Sequence, residues 1–298
     1  MYPSSFEYHA PTDVQEAVDL LVEHGDRDVE LIAGGHSLLP TMKSGLSKPE
    51  VVVDIADIDQ LHGVDHGEES SRVGAMTTYA TVAADETLAR STVISEAAAE
   101  IGDVQVRNVG TVGGNVAHAD PAADLPAAVL VSDATVRLQG PSGDRSVPAA
   151  EFFQAMFTTD IREDELLTGI DLSHLGENDA GAYVKKPSPS SGYALVGVAV
   201  VLETDGETIM DARIGANGAF DHAMRLKPVE ETLTGEALDG GIAHRAAGHA
   251  TDDVEPYLLM EDDTASSDFR AHLLEVYTER AIDTAIERVG SMTDTEAD

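Results

Sequence analysis

The sequence predicts an α+β protein of two domains, and three observations predict it. Through residue 176, runs with the three-and-four spacing of amphipathic helices alternate with apolar runs of strand length. A loop-like stretch, Gly176-Glu177-Asn178-Asp179, then precedes a part that opens on long strand-like segments and closes on helices. Two glycine clusters, Gly34-Gly35 and Gly110 with Gly113-Gly114, interrupt the first part. Neither forms G-x-G-x-x-G, so the phosphate loop of a doubly wound sheet is not indicated. A length of 298 residues suits two domains with sizeable cores.

In chain order, Phe6-Glu7-Tyr8 alternates as a short strand. Thr12 to Gln15 has the form of a capping box, with Thr12 as N-cap, and Val14, Ala17, Val18, Leu21 and Val22 follow at helical spacing up to Gly25. Val29 to Ile32 reads as a strand running into Gly34-Gly35, followed by a helix over Ser37 to Lys43 and a strand over Val51 to Asp54. Gly63 to Gly74 reads as a polar hairpin, and Tyr79 to Leu88 and Val93 to Ile101 as helices. The glycine-rich stretch from Arg107 to Asn115 reads as a loop. In Asp120-Pro121-Ala122-Ala123, Asp120 suits an N-cap with Pro121 at N1, and Ala127 to Val131 is apolar and helical. Thr135 to Leu138 and Arg145 to Val147 are strands around Gly140 to Gly143, and Glu165 to Leu172 is another.

The second part begins with a strand over Ala182 to Lys185 and a Pro/Ser loop, Pro187 to Gly192. Two long strands follow, Ala194 to Glu203 and Ile209 to Asn217, the first apolar enough to be buried on both faces. Helices are expected at Val229 to Leu233, Ile242 to Ala250 and Asp268 to Val289, before a frayed acidic tail. The expected division is 1–176, 177–290 and a tail, 291–298.

Fifty-five acidic against 18 basic residues give a net charge of −37, spread along the chain. That excludes nucleic-acid binding through a basic patch and describes a surface suited to concentrated salt. With no cysteine, disulfides, cysteine-ligated iron–sulfur clusters and a thiol nucleophile are all excluded. The N-terminal stretch lacks a basic segment followed by an apolar one, and no apolar run is long enough to span a bilayer. A cytoplasmic protein without membrane insertion is expected.

Two candidate sites emerge. Ala33-Gly34-Gly35-His36-Ser37 and Gly110-Thr111-Val112-Gly113-Gly114-Asn115 can bring backbone N–H groups close to an anion, and together can clamp the two phosphates of a dinucleotide. His118, Asp120 and Asp124, with His36, form the alternative: N and O ligands for a divalent metal in a hydrolase.

The two glycine segments, with Asp120-Pro121-Ala122-Ala123-Asp124-Leu125-Pro126, Lys185 and Tyr193-Ala194-Leu195-Val196-Gly197, resemble the FAD-binding medium subunits of the molybdenum hydroxylases. This is the family of the medium subunit of aerobic carbon monoxide dehydrogenase and of the FAD unit of xanthine dehydrogenase. The resemblance covers nearly the whole chain. It implies a two-subdomain FAD-binding domain of the vanillyl-alcohol-oxidase (PCMH) type and a small α+β C-terminal domain. It implies that Ala33 to Ser37 and Gly110, Thr111, Gly113, Gly114 and Asn115 bind the FAD pyrophosphate, and that Asp124 bonds the ribityl chain. Ile101 would lie beside the isoalloxazine and Leu167 near the adenine or the ring. Lys185 would sit at the pyrimidine edge, and Tyr193 would shield one ring face. Such a chain would take electrons from an iron–sulfur small subunit served by a molybdopterin large subunit, and pass them to NAD, a quinone or oxygen. A non-catalytic flavin-binding module is the remaining alternative.

Overall fold

A computed structural model describes residues 2–239, 241–252 and 254–295. The chain first builds a small parallel sheet from β1 (Glu7–His9), β2 (Val29–Ile32) and β3 (Val51–Asp54), ordered β1-β3-β2. Helices α1 (Val14–Glu23) and α2 (Leu38–Ser44) provide the crossovers. The α1 cap lies one residue later than the sequence suggests. Asp13 accepts from Glu16 N–H, and the Glu16 carboxylate reaches back past the cap to accept from Thr12 N–H at 2.8 Å, a variant of the capping box displaced by one residue on its return bond.

The second unit is an antiparallel sheet with helices beside it. The hairpin β4 (Val64–His66) and β5 (Ser70–Gly74) leads into α3 (Tyr79–Ala84), α4 (Glu86–Ser91), α5 (Ile94–Ala99), α6 (Val104–Val109), α7 (Val112–His118) and α8 (Leu125–Val131). Strands β6 (Thr135–Gly140) and β7 (Gly143–Pro148), helix α9 (Ala149–Phe152) and strands β8 (Phe153–Ala155), β9 (Thr158–Thr159) and β10 (Leu166–Ser173) complete it, in the order β4-β5-β10-β6-β7. The helix expected over Tyr79 to Leu88 is two helices because Asp85 ends the first and caps the second, accepting from Thr87 and Leu88 N–H. Asp120 caps no helix: it closes a turn by accepting from Ala122 N–H at 2.9 Å, and α8 starts only at Leu125, with Pro126 in its first turn.

The third unit is the antiparallel sheet β11 (Ala180–Pro187), β12 (Ala194–Thr204), β13 (Ile209–Asn217) and β14 (Met224–Arg225), backed by α10 (Lys227–Leu233), α11 (Ile242–Ala247) and α12 (Ser267–Thr295). Strand β12 divides its side chains between two cores. Ala199 and Val201 join the core of the first two units, while Val196, Val198, Val200 and Leu202 join the one under α10 to α12. Burial on both faces explains its near-continuous apolar sequence. Helix α12 runs on to Thr295, past the expected start of fraying at Ser291, and residues 296–298 lie outside the described ones. Among the described residues, no helix is long and apolar enough to cross a membrane.

Candidate functional site

The two glycine segments meet backbone to backbone. At the end of β2 the chain turns through Gly34 and Gly35, and Gly35 has φ +69°, a left-handed conformation that favours glycine. A Cβ on Gly34 would lie 2.3 Å from Val109 O. Only the missing side chain allows this contact. Gly110, next in line, is pressed flat against the Tyr79 ring, where a Cβ would lie 2.3 Å from Cε2. Gly113 is held equally close to Ala75, at 2.5 Å for a built Cβ.

The segments differ in what they leave free. In the second, Gly110 N–H donates to Val106 O, Val112 to Thr77 O, Gly113 to Ala75 O and Asn115 to Thr111 O. Gly114 N–H donates to the Thr111 hydroxyl at 3.2 Å. This segment is therefore the capped start of α7, with Thr111 as N-cap, rather than a loop of open donors. In the first, the consecutive N–H groups of Gly34, Gly35, His36 and Ser37 have no acceptor among the described residues. A row of free N–H groups is thus presented by the first segment, while in the second only the Thr111 N–H lacks an acceptor among the described residues, and that segment contributes mainly close packing and the Asn115 side chain.

Both segments wall a cavity of about 660 Å³, within the range of small-molecule sites. Ala33, Gly34, Gly35, His36 and Ser37 line it, as do Gly110, Thr111, Gly113, Gly114 and Asn115. So do Ile101, Asp124, Leu167 and Tyr193. Lys185 does not. Its side chain is only 3% exposed, and its ammonium donates to Asp124 Oδ2 at 3.0 Å, Glu100 O at 2.6 Å and Gly192 O at 3.1 Å. An ammonium has three donors, and all three are spent on the chain itself. The lysine placed by resemblance at a ligand edge stands one layer behind Asp124, gathering the neighbours of Ile101 and Tyr193 around one charge.

Asp124 comes from the turn before α8, and its other oxygen accepts from the Tyr183 hydroxyl at 2.6 Å. Burial pushes its carboxyl up to about 6, against the opposing pull of Lys185 and the Tyr183 hydrogen bond. The folded state thus holds this proton more tightly than the unfolded chain, whose ordinary value is 3.8. The resulting stability is full below 3.8 and is lost as pH rises through about 6. We expect Asp124→Asn to flatten the fall of unfolding free energy over that window by up to ~1.4 kcal/mol per pH unit. Urea melts of both forms at pH steps across the window check this, and identical slopes contradict it.

Tyr79 and Tyr183 carried no signal in the sequence. Tyr79 lines the cavity and takes a hydrogen bond from Asn115 at 3.1 Å, and burial raises its hydroxyl to about 12. Tyr183 is wholly buried beneath Asp124, and its hydroxyl is raised well above the ordinary value, first by burial. The turn from Asp120 to Asp124 is also held by the third unit. Gly218 N–H donates to Pro121 O at 2.7 Å and Ala194 N–H to Ala122 O at 3.2 Å.

The metal alternative does not assemble. The His118 ring packs on Phe157 at 5.0 Å, Asp120 closes its turn, and both oxygens of Asp124 are engaged. Among the described residues the one converging trio of metal-ligating side chains is Glu7, His9 and His24, and there Arg27 already donates to Glu7 at 2.6 Å and contacts the His24 ring at 3.3 Å.

Residues 4–173 match the FAD binding domain in molybdopterin dehydrogenase, and residues 182–285 match the CO dehydrogenase flavoprotein C-terminal domain. The chain is 36% identical to the carbon monoxide dehydrogenase medium chain of Hydrogenophaga pseudoflava, over 96% of this chain and 98% of that one. It is 32% identical to the glyceraldehyde dehydrogenase medium chain of Sulfolobus acidocaldarius, over 94% and 98%. The structure of carbon monoxide dehydrogenase from Hydrogenophaga pseudoflava superposes with a TM-score of 0.92, covering 97% of this chain and 99% of that one at 36% identity. With both domains matched and nearly the whole length covered, the chain belongs to the FAD-binding medium subunits of the molybdenum hydroxylases.

Proposed function

We propose that this cavity is the FAD site, and that the chain carries electrons within an assembly whose other chains hold iron–sulfur clusters and a molybdopterin centre. The observation that carries the reading is the row of free N–H groups from Gly34 to Ser37 on the cavity wall. A pyrophosphate, all acceptors at neutral pH, is complementary to such a row. Asn115, on the facing segment, also lines the cavity, with its side-chain Nδ2 3.1 Å from Tyr79 Oη. When bound, FAD supplies redox chemistry that passes electrons singly or in pairs.

The chain's own part is binding, orientation and exclusion of water. Lys185 draws Glu100, Asp124 and Gly192 together, so Ile101, Asp124 and Tyr193 border one region of the cavity, suited to the isoalloxazine and ribityl chain. Asp124 keeps acceptor capacity for a ribityl hydroxyl, and the half-exposed Tyr193 ring covers a face. Leu167 adds an apolar wall. The relatives act by name on carbon monoxide and on glyceraldehyde at similar identity, so we assign the choice of substrate to the other chains.

The test is co-expression with the neighbouring reading frames and acid precipitation of the purified complex. Stoichiometric, non-covalently bound FAD is expected in the supernatant. The chain freed of other polypeptides should show no dye reduction with carbon monoxide, purine or aldehyde. A flavin-free complex that cannot be reconstituted, or sustained turnover by the chain alone, would overturn the reading.

A further inference from the structure

Strand β2 is an edge strand: in the order β1-β3-β2 it has a neighbour on one side only. In a parallel ladder, successive residues turn their N–H and C=O groups alternately toward that neighbour and away from it. Val51 N–H donates to Asp28 O and Ile55 N–H to Ile32 O, each at 3.1 Å, so the even-numbered residues face β3. Val29, Leu31 and Ala33 therefore turn their backbone groups outward, and these have no partner among the described residues. An open edge on a protein surface meets water or a second strand. This one forms part of the cavity wall, which all three residues line, each partly exposed. Its outward groups run directly into the free N–H groups of Gly34 to Ser37.

We propose that this edge selects the base of the dinucleotide: Val29 C=O accepts from the N6 amino group of the FAD adenine, and Leu31 N–H donates to the neighbouring ring nitrogen. This rests on the reading of the cavity as the FAD site. On a strand edge, a carbonyl and the N–H two residues further on point the same way. Adenine presents an amino donor beside a ring-nitrogen acceptor, the complementary pattern. The spacing agrees. At ~3.3 Å per residue, Leu31 precedes Gly34 by about 10 Å, which leaves room for a ribose between base and pyrophosphate. The direction agrees as well, because Ile101, Asp124 and Tyr193 border the region suited to the isoalloxazine, and β2 lies on the other side of the nest. Leu21 of α1 and Leu38 of α2 also line the cavity and supply apolar surface for the faces of a base.

The base itself is the probe. In the assembled complex, stripped of flavin, titration with FAD is compared with titration by flavin hypoxanthine dinucleotide, in which an oxygen replaces the amino group. That oxygen would face Val29 C=O with no proton between them, so the analogue should bind about tenfold more weakly, or ~1.4 kcal/mol. Leu31→Pro removes the N–H and breaks no bond of the sheet, since that N–H faces away from β3. Leu31→Ala also shortens the side chain but keeps the N–H. Leu31→Pro should therefore bind FAD about tenfold more weakly than Leu31→Ala. Equal affinity of the wild type for the two dinucleotides, or equal FAD affinity in the two variants, would each overturn the proposal. Those outcomes leave the FAD site standing, whereas a wild-type complex that takes up no FAD removes both readings. Should Leu31→Pro fail to fold, the comparison of the two dinucleotides, which needs no variant, still decides.

Discussion

Gly34→Ala is expected to give a chain that no longer retains FAD. The added methyl would lie 2.3 Å from Val109 O and 3.0 Å from both Val109 C and Gly110 Cα, all of them backbone. None can rotate away, and Gly110 is tied on both sides, its N–H to Val106 O and its carbonyl to Tyr79 N–H. The two segments must therefore move apart by about an ångström to restore ordinary contact, which separates the free N–H groups from Asn115. Overpacking of this kind costs roughly 1–3 kcal/mol of stability. The loss in FAD affinity should exceed tenfold, because both walls must reach one pyrophosphate. Gly114→Ala meets chiefly the Thr111 hydroxyl, at 2.8 Å, and should do less. Gly290→Ala, where a methyl meets nothing within 4 Å, is the control. Flavin-to-protein ratios after gel filtration decide it, and a Gly34→Ala protein with wild-type flavin content would sink the argument.

Lys185→Met should be the most damaging single change at the site. It leaves the Asp124 carboxylate in the interior without its cation and strips Glu100 O and Gly192 O of their donor. Removing one member of a buried pair typically costs ~3–5 kcal/mol, more than the pair itself contributes. The urea midpoint should fall accordingly, and flavin should be lost with it, since Gly192 precedes Tyr193. Asp124→Leu added to Lys185→Met should recover most of the stability, by removing the stranded charge, without recovering the flavin. A Lys185→Met protein as stable as the wild type would show that Asp124 simply takes up a proton there at no cost. Because lysine and aspartate form a nearly neutral pair, this lysine contributes little net positive potential to the cavity beside it.

Much of this was legible in the sequence where a pattern repeats. The α1 stripe, the apolar run of β12 and the long α12 each persist for ten residues or more, enough for a period to declare itself. Helices α6 and α7, of six and seven residues, are too short for that, and their glycines imitate a loop. The glycine segments themselves were plain, yet their division of labour was not. Whether an N–H is free depends on partners such as Ala75 and Thr77, which lie more than thirty residues away in sequence. The same limit hid Tyr79. Lys185 was visible as a charge in an apolar strand, but only the register of β11 reveals that it and Tyr183 share the face turned to Asp124.

The boundary between the two matched domains falls in the link after Ser173, but the floor of the cavity does not respect it. Asp124 belongs to the first domain, while Tyr183, Lys185 and the amides of Ala194 and Gly218 that fix its turn belong to the second. In evolutionary terms, the unit of exchange is then larger than the domain. A recombination event joining the N-terminal half of one medium subunit to the C-terminal half of another would shuffle a carboxylate away from the ammonium it grew up with. Lineages of this fold should accordingly inherit these positions as a block, and chimaeras cut at the visible linker will graft half a binding site along with the domain.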